Sequence, residues 1–201
     1  MLRVLGRATS GNVQKVVWLL EELGQPYRRE DYGRQFNNTL TEGYLGLNPT
    51  GKVPTLVDGD AVVWESNTIL RYICSRSAGG AALYPMEPAA RSQVERWMDW
   101  QLASLNGPYL SVFKESRKKE DERAPSWTSD CKELAAQLEV LEKGTTSGAW
   151  IAGSAFSIAD ICLGPIVHRC LNFPITLPPL PGIRAWRDRI AARAAFERSE
   201  S

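Results

Sequence analysis

One stretch in the first half of the chain, residues 48–73, constrains the fold more than any other. Pro54 stands directly before the apolar run Thr55-Leu56-Val57, and because a proline cannot donate to a β ladder it predicts the start of a strand. Asp58-Gly59 then predicts a tight hairpin into a second strand. Serine is a favoured helix N-cap, so Ser66 predicts the start of a helix. The stretch therefore predicts strand, hairpin, strand and helix in immediate succession.

The residues before this stretch predict a strand, a loop, a helix and a second strand. Leu2 to Leu5 is a short apolar run, and Tyr27 to Asp31 is the second predicted strand. Between them, apolar residues recur at helical spacing at Val13, Val16, Val17, Leu20 and Leu23. Such a βαβ unit crosses over right-handed into a parallel pair. With a short helix predicted from a capping box, Thr39 to Glu42, the order over residues 1–78 is β-α-β-α-β-β-α, a thioredoxin-like order.

The rest of the chain predicts a different architecture. Residues 79–88 are rich in glycine and proline and predict a linker, and residues 89–201 predict an all-helical domain. We expect one long helix from Ala89 to about Phe113 and a last substantial helix from Leu180 to Ala195. Ser157-Ile158-Ala159-Asp160 predicts a capping box, which gives Asp160 a structural role. In the first helix, Glu21 and Glu22 oppose the helix dipole, so we expect packing rather than charge to hold that end.

The residues around Pro54 also predict a binding platform. The backbone of Val53 can pair with a peptide laid alongside, as an added strand does. Ser66, at a helix N-terminus, offers a hydroxyl and free amides suited to a carboxylate. Lys52 adds a cation, and Glu65 adds an anion that can pair with an ammonium. These groups together suit a small zwitterionic peptide with carboxylates at both ends.

This platform resembles the glutathione-binding segment of the glutathione S-transferase family, in which the proline is cis and the Glu-Ser pair holds the γ-glutamyl end. Residues Thr9 to Val16 resemble the serine-type catalytic loop of that family, as in its theta, zeta and nu classes. The resemblance covers nearly the whole chain and implies an α/β thioredoxin-like N-terminal domain followed by an all-α C-terminal domain. It also implies glutathione as co-substrate, a small apolar electrophile, and a homodimer formed through the third and fourth helices.

Ser10 is the predicted catalytic residue, with Asn12 as the alternative. Ser10 follows the first strand at the mouth of the first helix, where a bound thiolate would meet a hydroxyl donor and the positive end of the helix. Asn12 stands two positions later, where related classes place a second polar residue. Both residues are also common helix N-caps, which is the simpler interpretation. The resemblance further places Trp100 and Ser104 in the co-substrate pocket, and leaves Asp99 as a candidate for reaching a partner subunit's peptide.

Composition excludes several other classes of function. Lys plus Arg number 24 against 23 acidic residues, so there is no electrostatic footprint for nucleic acid and no polybasic membrane patch. The 4 cysteines are scattered without metal-site spacing, as in a cytoplasmic protein with reduced thiols, so we expect no metal. His168, the single histidine, has no catalytic companions and is predicted to be structural. Two alternatives stay open: a glutathione-dependent isomerase or dehalogenase on the same scaffold, and a non-catalytic interaction module.

Overall fold

The computed structural model describes residues 1–145 and 148–200 of the chain. Contacts divide the chain into two compact units. The N-terminal unit comprises Met1–Met86 together with the C-terminal segment that begins at Ala191, and the helical unit comprises Glu87–Ile190. The division into domains 1–78 and 89–201 with a linker over 79–88 stays a prediction about folding units.

A mixed four-stranded sheet forms the centre of the N-terminal unit. Its strands are β1 (Leu2–Leu5), β2 (Tyr27–Glu30), β3 (Thr55–Asp58) and β4 (Ala61–Trp64), in the order β2-β1-β3-β4. β1 pairs parallel with β2 and antiparallel with β3, and β3 pairs antiparallel with β4. The hairpin predicted at Asp58-Gly59 is confirmed, because Asp58 pairs with Ala61 and Gly59 adopts a φ of +59°. The parallel pair is the predicted product of the opening βαβ unit.

The helices of the N-terminal unit are α1 (Gly11–Glu22), α2 (Glu42–Leu47), α3 (Ser66–Arg76), α4 (Gly80–Leu83) and, at the end of the chain, α10 (Ala194–Glu200). The predicted β-α-β-α-β-β-α order is confirmed. The predicted capping box at Thr39 is wrong, because α2 starts at Glu42 and its N-cap is Thr41, whose hydroxyl accepts from the Tyr44 amide at 3.4 Å. α4 lies inside the predicted linker.

α1 is buried on nearly all sides. Its apolar stripe is buried as predicted up to Leu20, and Trp18 on the opposite side is equally inaccessible. Trp18 packs edge-on against Phe196 of α10, with ring centroids 4.8 Å apart. The helix is therefore covered by the sheet, by α3 and by α10. The sequence pattern predicted only one buried face for α1. The second face is covered by α10, which comes from the far end of the chain, so the local pattern could not predict its burial.

The expectation that charge does not stabilise the C-terminal end of α1 is wrong. Arg193 makes a two-pronged ion pair with Glu22, at 2.6 Å and 2.7 Å. Arg198 donates to Glu21 at 2.5 Å and holds the pKa of that carboxyl below its usual range. The two glutamates oppose the helix dipole, as noted, but the cations of the C-terminal segment compensate them.

The helical unit contains α5 (Pro88–Trp100), α6 (Asn106–Glu115), α7 (Trp127–Thr145), α8 (Ile158–Cys170) and α9 (Pro181–Ala191). The predicted long helix is interrupted by a π-helical segment, Gln101–Leu105, between α5 and α6. The predicted last helix ends early, at Ala191, and α10 begins separately at Ala194. Among the described residues, no helix combines the length and apolar character needed to cross a membrane.

The predicted capping box opens α8. The Ser157 hydroxyl accepts from the Ala159 amide at 3.2 Å, and Asp160 accepts from the Ser157 amide at 2.9 Å. The other oxygen of Asp160 accepts from the Ile151 amide at 2.9 Å and from the Trp186 indole at 2.8 Å. Burial raises the pKa of Asp160, and the donors around it act in the opposite direction. Asp160 therefore joins three segments of the helical unit and is structural, as predicted.

Candidate active site

The register of the sheet brings three of the predicted site segments to one edge. Leu5, the last residue of β1, pairs with Thr55, and Thr55 pairs with Trp64, the last residue of β4. The loop that follows β1, the residues that precede β3 and the residues that follow β4 therefore emerge side by side. These segments carry Ser10, Val53-Pro54 and Glu65-Ser66 respectively, which lie far apart in the sequence.

Ser10 is the N-cap of α1 and is 8% exposed. Its carbonyl accepts from the amides of Val13 and Gln14, both at 2.9 Å. Within the described chain, its side chain makes no capping hydrogen bond, so the hydroxyl is not committed to the helix it begins. Helix geometry leaves the amides of Gly11 and Asn12 without an intrahelical acceptor. A hydroxyl and a helix N-terminus are thus available at the predicted position.

Asn12 lies in the first turn of α1 and is half-buried. Its amide side chain is a donor of the right kind for a sulfur anion, as Ser10 is. The structure places both candidates at the same helix end, so the choice between them stays a prediction.

Val53 lies between the loop after β1 and the turn that leads out of β2. The Val53–Pro54 peptide bond is cis, as the resemblance implied. A Cβ added to Gly6 would overlap Val13 Cγ2 and lie 3.3 Å from Val53 Cβ, and one added to Gly33 would lie 3.4 Å from Val53 Cγ1. Gly33 also adopts a φ of +87°, which favours glycine. The sequence reasoning missed these two glycines, whose signal is their position after each of the first two strands.

The start of α3 corrects one prediction. Glu65, and not Ser66, is the N-cap, and Ser66 is the first helical residue and is buried. Glu65 adopts a φ of +68° and ψ of 114°, a conformation that costs a non-glycine residue of order 1–3 kcal/mol. Its side chain is exposed and makes no capping hydrogen bond in the described part of the chain. The Glu-Ser pair still stands at a helix N-terminus, as the carboxylate-binding argument requires.

A buried lysine connects the two helices whose N-termini form the site. Lys15 of α1 is fully buried, and its Nζ lies 3.5 Å from Oδ1 of Asn67, the second residue of α3. The α1 pattern gave no sign of this burial, because lysine is almost never fully buried unless it is paired. The predicted cation of the platform, Lys52, is exposed just before the cis peptide bond.

Burial raises the pKa of three of the chain's four thiols, which leaves less of each in the reactive thiolate form. Burial raises the pKa of Cys74 to about 12 and raises that of Cys170 further. Burial also raises the pKa of the half-buried Cys131. No group of three or more His, Cys, Asp or Glu residues in the described part of the chain is arranged to hold a metal ion. The raised pKa values of these three thiols are consistent with a sulfur nucleophile that is supplied by a ligand.

Trp100 and Ser104 belong to the helical unit. Trp100 ends α5 and packs edge-on against Trp97, with ring centroids 5.4 Å apart. Ser104 lies in the π-helical segment, a feature common at functional sites. Both side chains are half-buried, and their assignment to a co-substrate pocket stays a prediction.

Comparisons with known proteins point to one family. Residues 9–76 match the family model "Glutathione S-transferase, N-terminal domain", and residues 102–194 match "Glutathione S-transferase, C-terminal domain". The chain is 32% identical to glutathione S-transferase GstB of Escherichia coli over 98% of this chain and 97% of that protein. It is 30% identical to glutathione S-transferase 3 of Zea mays over 98% and 92% of the two chains.

A similar solved structure is that of the theta class glutathione S-transferase from Xanthomonas axonopodis pv. citri with glutathione bound. It superposes with a TM-score of 0.93 at 35% identity, over 98% of this chain and 96% of that one. On these grounds the chain belongs to the glutathione S-transferase family.

Proposed function

We propose that the protein is a glutathione transferase, in which the thiolate of bound glutathione attacks an electrophilic, largely apolar co-substrate. The observation that carries the proposal is that Ser10, Val53-Pro54 and Glu65-Ser66 lie on segments that emerge side by side at one edge of the sheet. The Ser10 hydroxyl makes no capping hydrogen bond to any residue that the structure describes. Family membership supports the same reaction, and relatives of comparable length carry that name.

Each group of the platform has a role in holding the peptide. The N-terminus of α3 and the Ser66 hydroxyl take the carboxylate of the γ-glutamyl residue. Glu65 pairs with its ammonium, and the Val53 backbone pairs with the cysteinyl residue as an added strand would. Lys52 adds a cation for the second carboxylate. The sulfur then lies at Ser10. The family resemblance is what assigns Trp100 and Ser104 to contacts with the co-substrate.

The energetics of thiolate formation fit these groups. An ordinary thiol has a pKa near ~8.5, so only a few per cent is ionised at neutral pH. Lowering that pKa by ~2 units requires about 2.7 kcal/mol of preferential stabilisation of the anion. One charge-assisted hydrogen bond contributes ~1.5–3 kcal/mol, and a helix N-terminus contributes ~0.3–1 kcal/mol. Ser10 and the start of α1 are together sufficient, and no base has to remove a proton from Ser10.

A pH–rate profile of the Ser10→Ala variant tests the assignment, with Asn12→Ala beside it. Ser10→Ala keeps the helix N-terminus, so loss of the hydroxyl should raise the thiol pKa by ~1.5 units, which at pH ~6 lowers the ionised fraction about 25-fold. The more basic thiolate regains about fivefold in nucleophilicity, which leaves a loss of roughly fivefold in conjugation of chlorodinitrobenzene. Affinity for glutathione should change little.

Three outcomes separate the alternatives. Equal profiles for Ser10→Ala and the parent, with a loss in Asn12→Ala, would assign the thiolate to Asn12. If the protein catalyses glutathione-dependent isomerisation or dehalogenation but does not conjugate generic electrophiles, it is an isomerase or dehalogenase on the same scaffold. A parent protein that shows no glutathione binding at millimolar concentration in isothermal titration would be a non-catalytic module.

The proposal includes a homodimer and a cytoplasmic location. The dimer is inferred from the family resemblance, with α3 and α5, the third and fourth helices predicted from the sequence, as the interface, and sedimentation equilibrium tests it. The location is supported by buried thiols that suit a reducing compartment, namely Cys74, Cys162 and Cys170.

A further inference from the structure

A closed ring of hydrogen bonds includes the backbone carbonyl of Lys52, the residue that precedes the cis Val53–Pro54 pair. Its members are Tyr44 of α2, Asn48 at the C-terminal end of α2, Thr55 at the start of β3, and the carbonyl of Lys52. The Tyr44, Asn48 and Thr55 side chains are each 2% exposed or less. Nothing in the platform described so far uses these three side chains.

Proton accounting fixes the direction of every bond in the ring. The Tyr44 hydroxyl has one proton, which it donates to the Lys52 carbonyl at 2.6 Å, so the Thr55 hydroxyl is the donor in its 2.9 Å contact with Tyr44. The two amide protons of Asn48 go to the Lys52 carbonyl at 2.9 Å and to the Thr55 hydroxyl at 3.0 Å. Asn48 Oδ1 accepts from the Thr50 amide and hydroxyl, at 3.0 Å and 2.7 Å. The ring leaves no donor of these side chains unused.

The ring has a geometric consequence for the next residue. The Lys52 carbonyl and the Val53 amide belong to one planar trans peptide group, so they point in opposite directions. Two donors hold the carbonyl oxygen inward, and this occupies both of its lone pairs. The Val53 amide must then point outward, and among the described residues it has no hydrogen-bond partner.

We propose that Tyr44 and Asn48, through Thr55, are positioning residues that aim the Val53 amide at the cysteinyl carbonyl of bound glutathione. This inference rests on the proposed function. The ring makes the outward donor rigid before the ligand arrives, so binding does not have to order that peptide group. None of the three side chains contacts the ligand itself.

The Tyr44→Phe variant tests the inference, because it removes one donor to the Lys52 carbonyl and keeps the aromatic side chain in place. Steady-state kinetics are measured with glutathione and chlorodinitrobenzene, each varied in turn. The KM for glutathione should rise about fivefold, the effect of one neutral hydrogen bond, while kcat and the KM for the electrophile stay within about twofold. Asn48→Ala removes both of its donors to the ring and should raise the glutathione KM at least tenfold.

A merely structural role would give a different pattern. Partial loss of folded enzyme lowers the apparent kcat in proportion and leaves both KM values unchanged. The matched control is Tyr72→Phe, which removes a tyrosine hydroxyl that donates to Asp58 at 2.9 Å, away from the ring, and should leave the kinetics unchanged. If Asn48→Ala does not fold, Tyr44→Phe carries the test alone.

The outcomes separate this inference from the proposed function. A parent enzyme that binds and conjugates glutathione, with an unchanged glutathione KM in Tyr44→Phe, overturns the positioning role and leaves the proposed function intact. A parent that does not bind glutathione overturns both.

Discussion

The ion pair between Arg193 and Glu22 offers a direct test of how the C-terminal segment holds α1, the helix that begins at Ser10. Arg193→Met removes the guanidinium and keeps an apolar stem. Glu22→Gln removes the charge and keeps an oxygen for the Trp18 indole, which donates to Glu22 at 2.8 Å. Together the two variants and the double mutant form a cycle that isolates the pair from other contacts.

The magnitude follows from geometry and exposure. The pair is two-pronged, and the Glu22 side chain is 11% exposed while that of Arg193 is 32% exposed. Fully exposed ion pairs contribute ~0–1 kcal/mol, and hydrogen bonds to charged groups ~1.5–3 kcal/mol, so a coupling of about 1–2 kcal/mol is expected at this intermediate exposure. The matched pair of Arg198 with Glu21 is more exposed, at 54% and 21%, and should couple by less than about 0.5 kcal/mol.

Urea unfolding of the parent, the single variants and the double variants supplies the free energies of unfolding, with the m-values compared to confirm that one transition is followed. Circular dichroism is the probe, because it does not depend on Trp18. A coupling of Arg193 with Glu22 below about 0.3 kcal/mol, or one smaller than that of Arg198 with Glu21, would refute the reasoning.

Three further predictions concern the rest of the fold. Asp160→Asn replaces one carboxylate oxygen with an NH₂ group that faces buried donors, so it should lower the free energy of unfolding by about 3 kcal/mol. Thermal unfolding measures the loss, with the exposed Asp188→Asn as the control. Gly6→Ala places a methyl group against Val13 and Val53 and should lower both the stability of the fold and the affinity for glutathione. Gly46 in α2 has open space around it, so Gly46→Ala should raise the free energy of unfolding by about 0.5 kcal/mol. Equal effects of the two substitutions would contradict the packing argument. The hydrogen bond from Arg3 lowers the folded-state pKa of Glu30. The stability that this bond contributes is therefore present when the pH is above the ordinary pKa near 4.5, and it is lost as the pH falls below that value. In Glu30→Gln, the denaturation midpoint should depend less on pH in the acid range.

Local motifs account for much of what the sequence predicted correctly about the fold and the site. Pro54, Asp58-Gly59 and the Ser157 to Asp160 box each act within a few residues, so their structures follow from backbone chemistry alone. The alternation of strands and helices then limits the topology to a small number of choices. The meeting of Ser10 with Val53 and Glu65 could be inferred because each segment adjoins the end of a predicted strand.

The features that the sequence did not predict depend on distant residues. The compensation of Glu21 and Glu22 needs Arg198 and Arg193, which are 177 and 171 residues away in the chain. The buried Lys15 likewise depends on Asn67, which is 52 residues away. No local pattern distinguishes these residues from solvated ones.

Two errors were local. Serine is the better N-cap by preference, yet the chain enters α3 with Glu65 at positive φ, so the cap lies one residue earlier than expected. The apolar spacing from Val94 to Leu105 is close to helical throughout, so it did not distinguish the π-helical turn at Gln101–Leu105 from a continuous α-helix.

The most direct test of the central claim is an ultraviolet titration of the glutathione thiol bound to the parent and to Ser10→Ala. The account predicts a bound-thiol pKa about 2 units below the free value near ~8.5 in the parent, and a rise of at least about 1 unit in the variant. The same bound-thiol pKa in both proteins would contradict it, because the hydroxyl at the start of α1 would then not stabilise the anion.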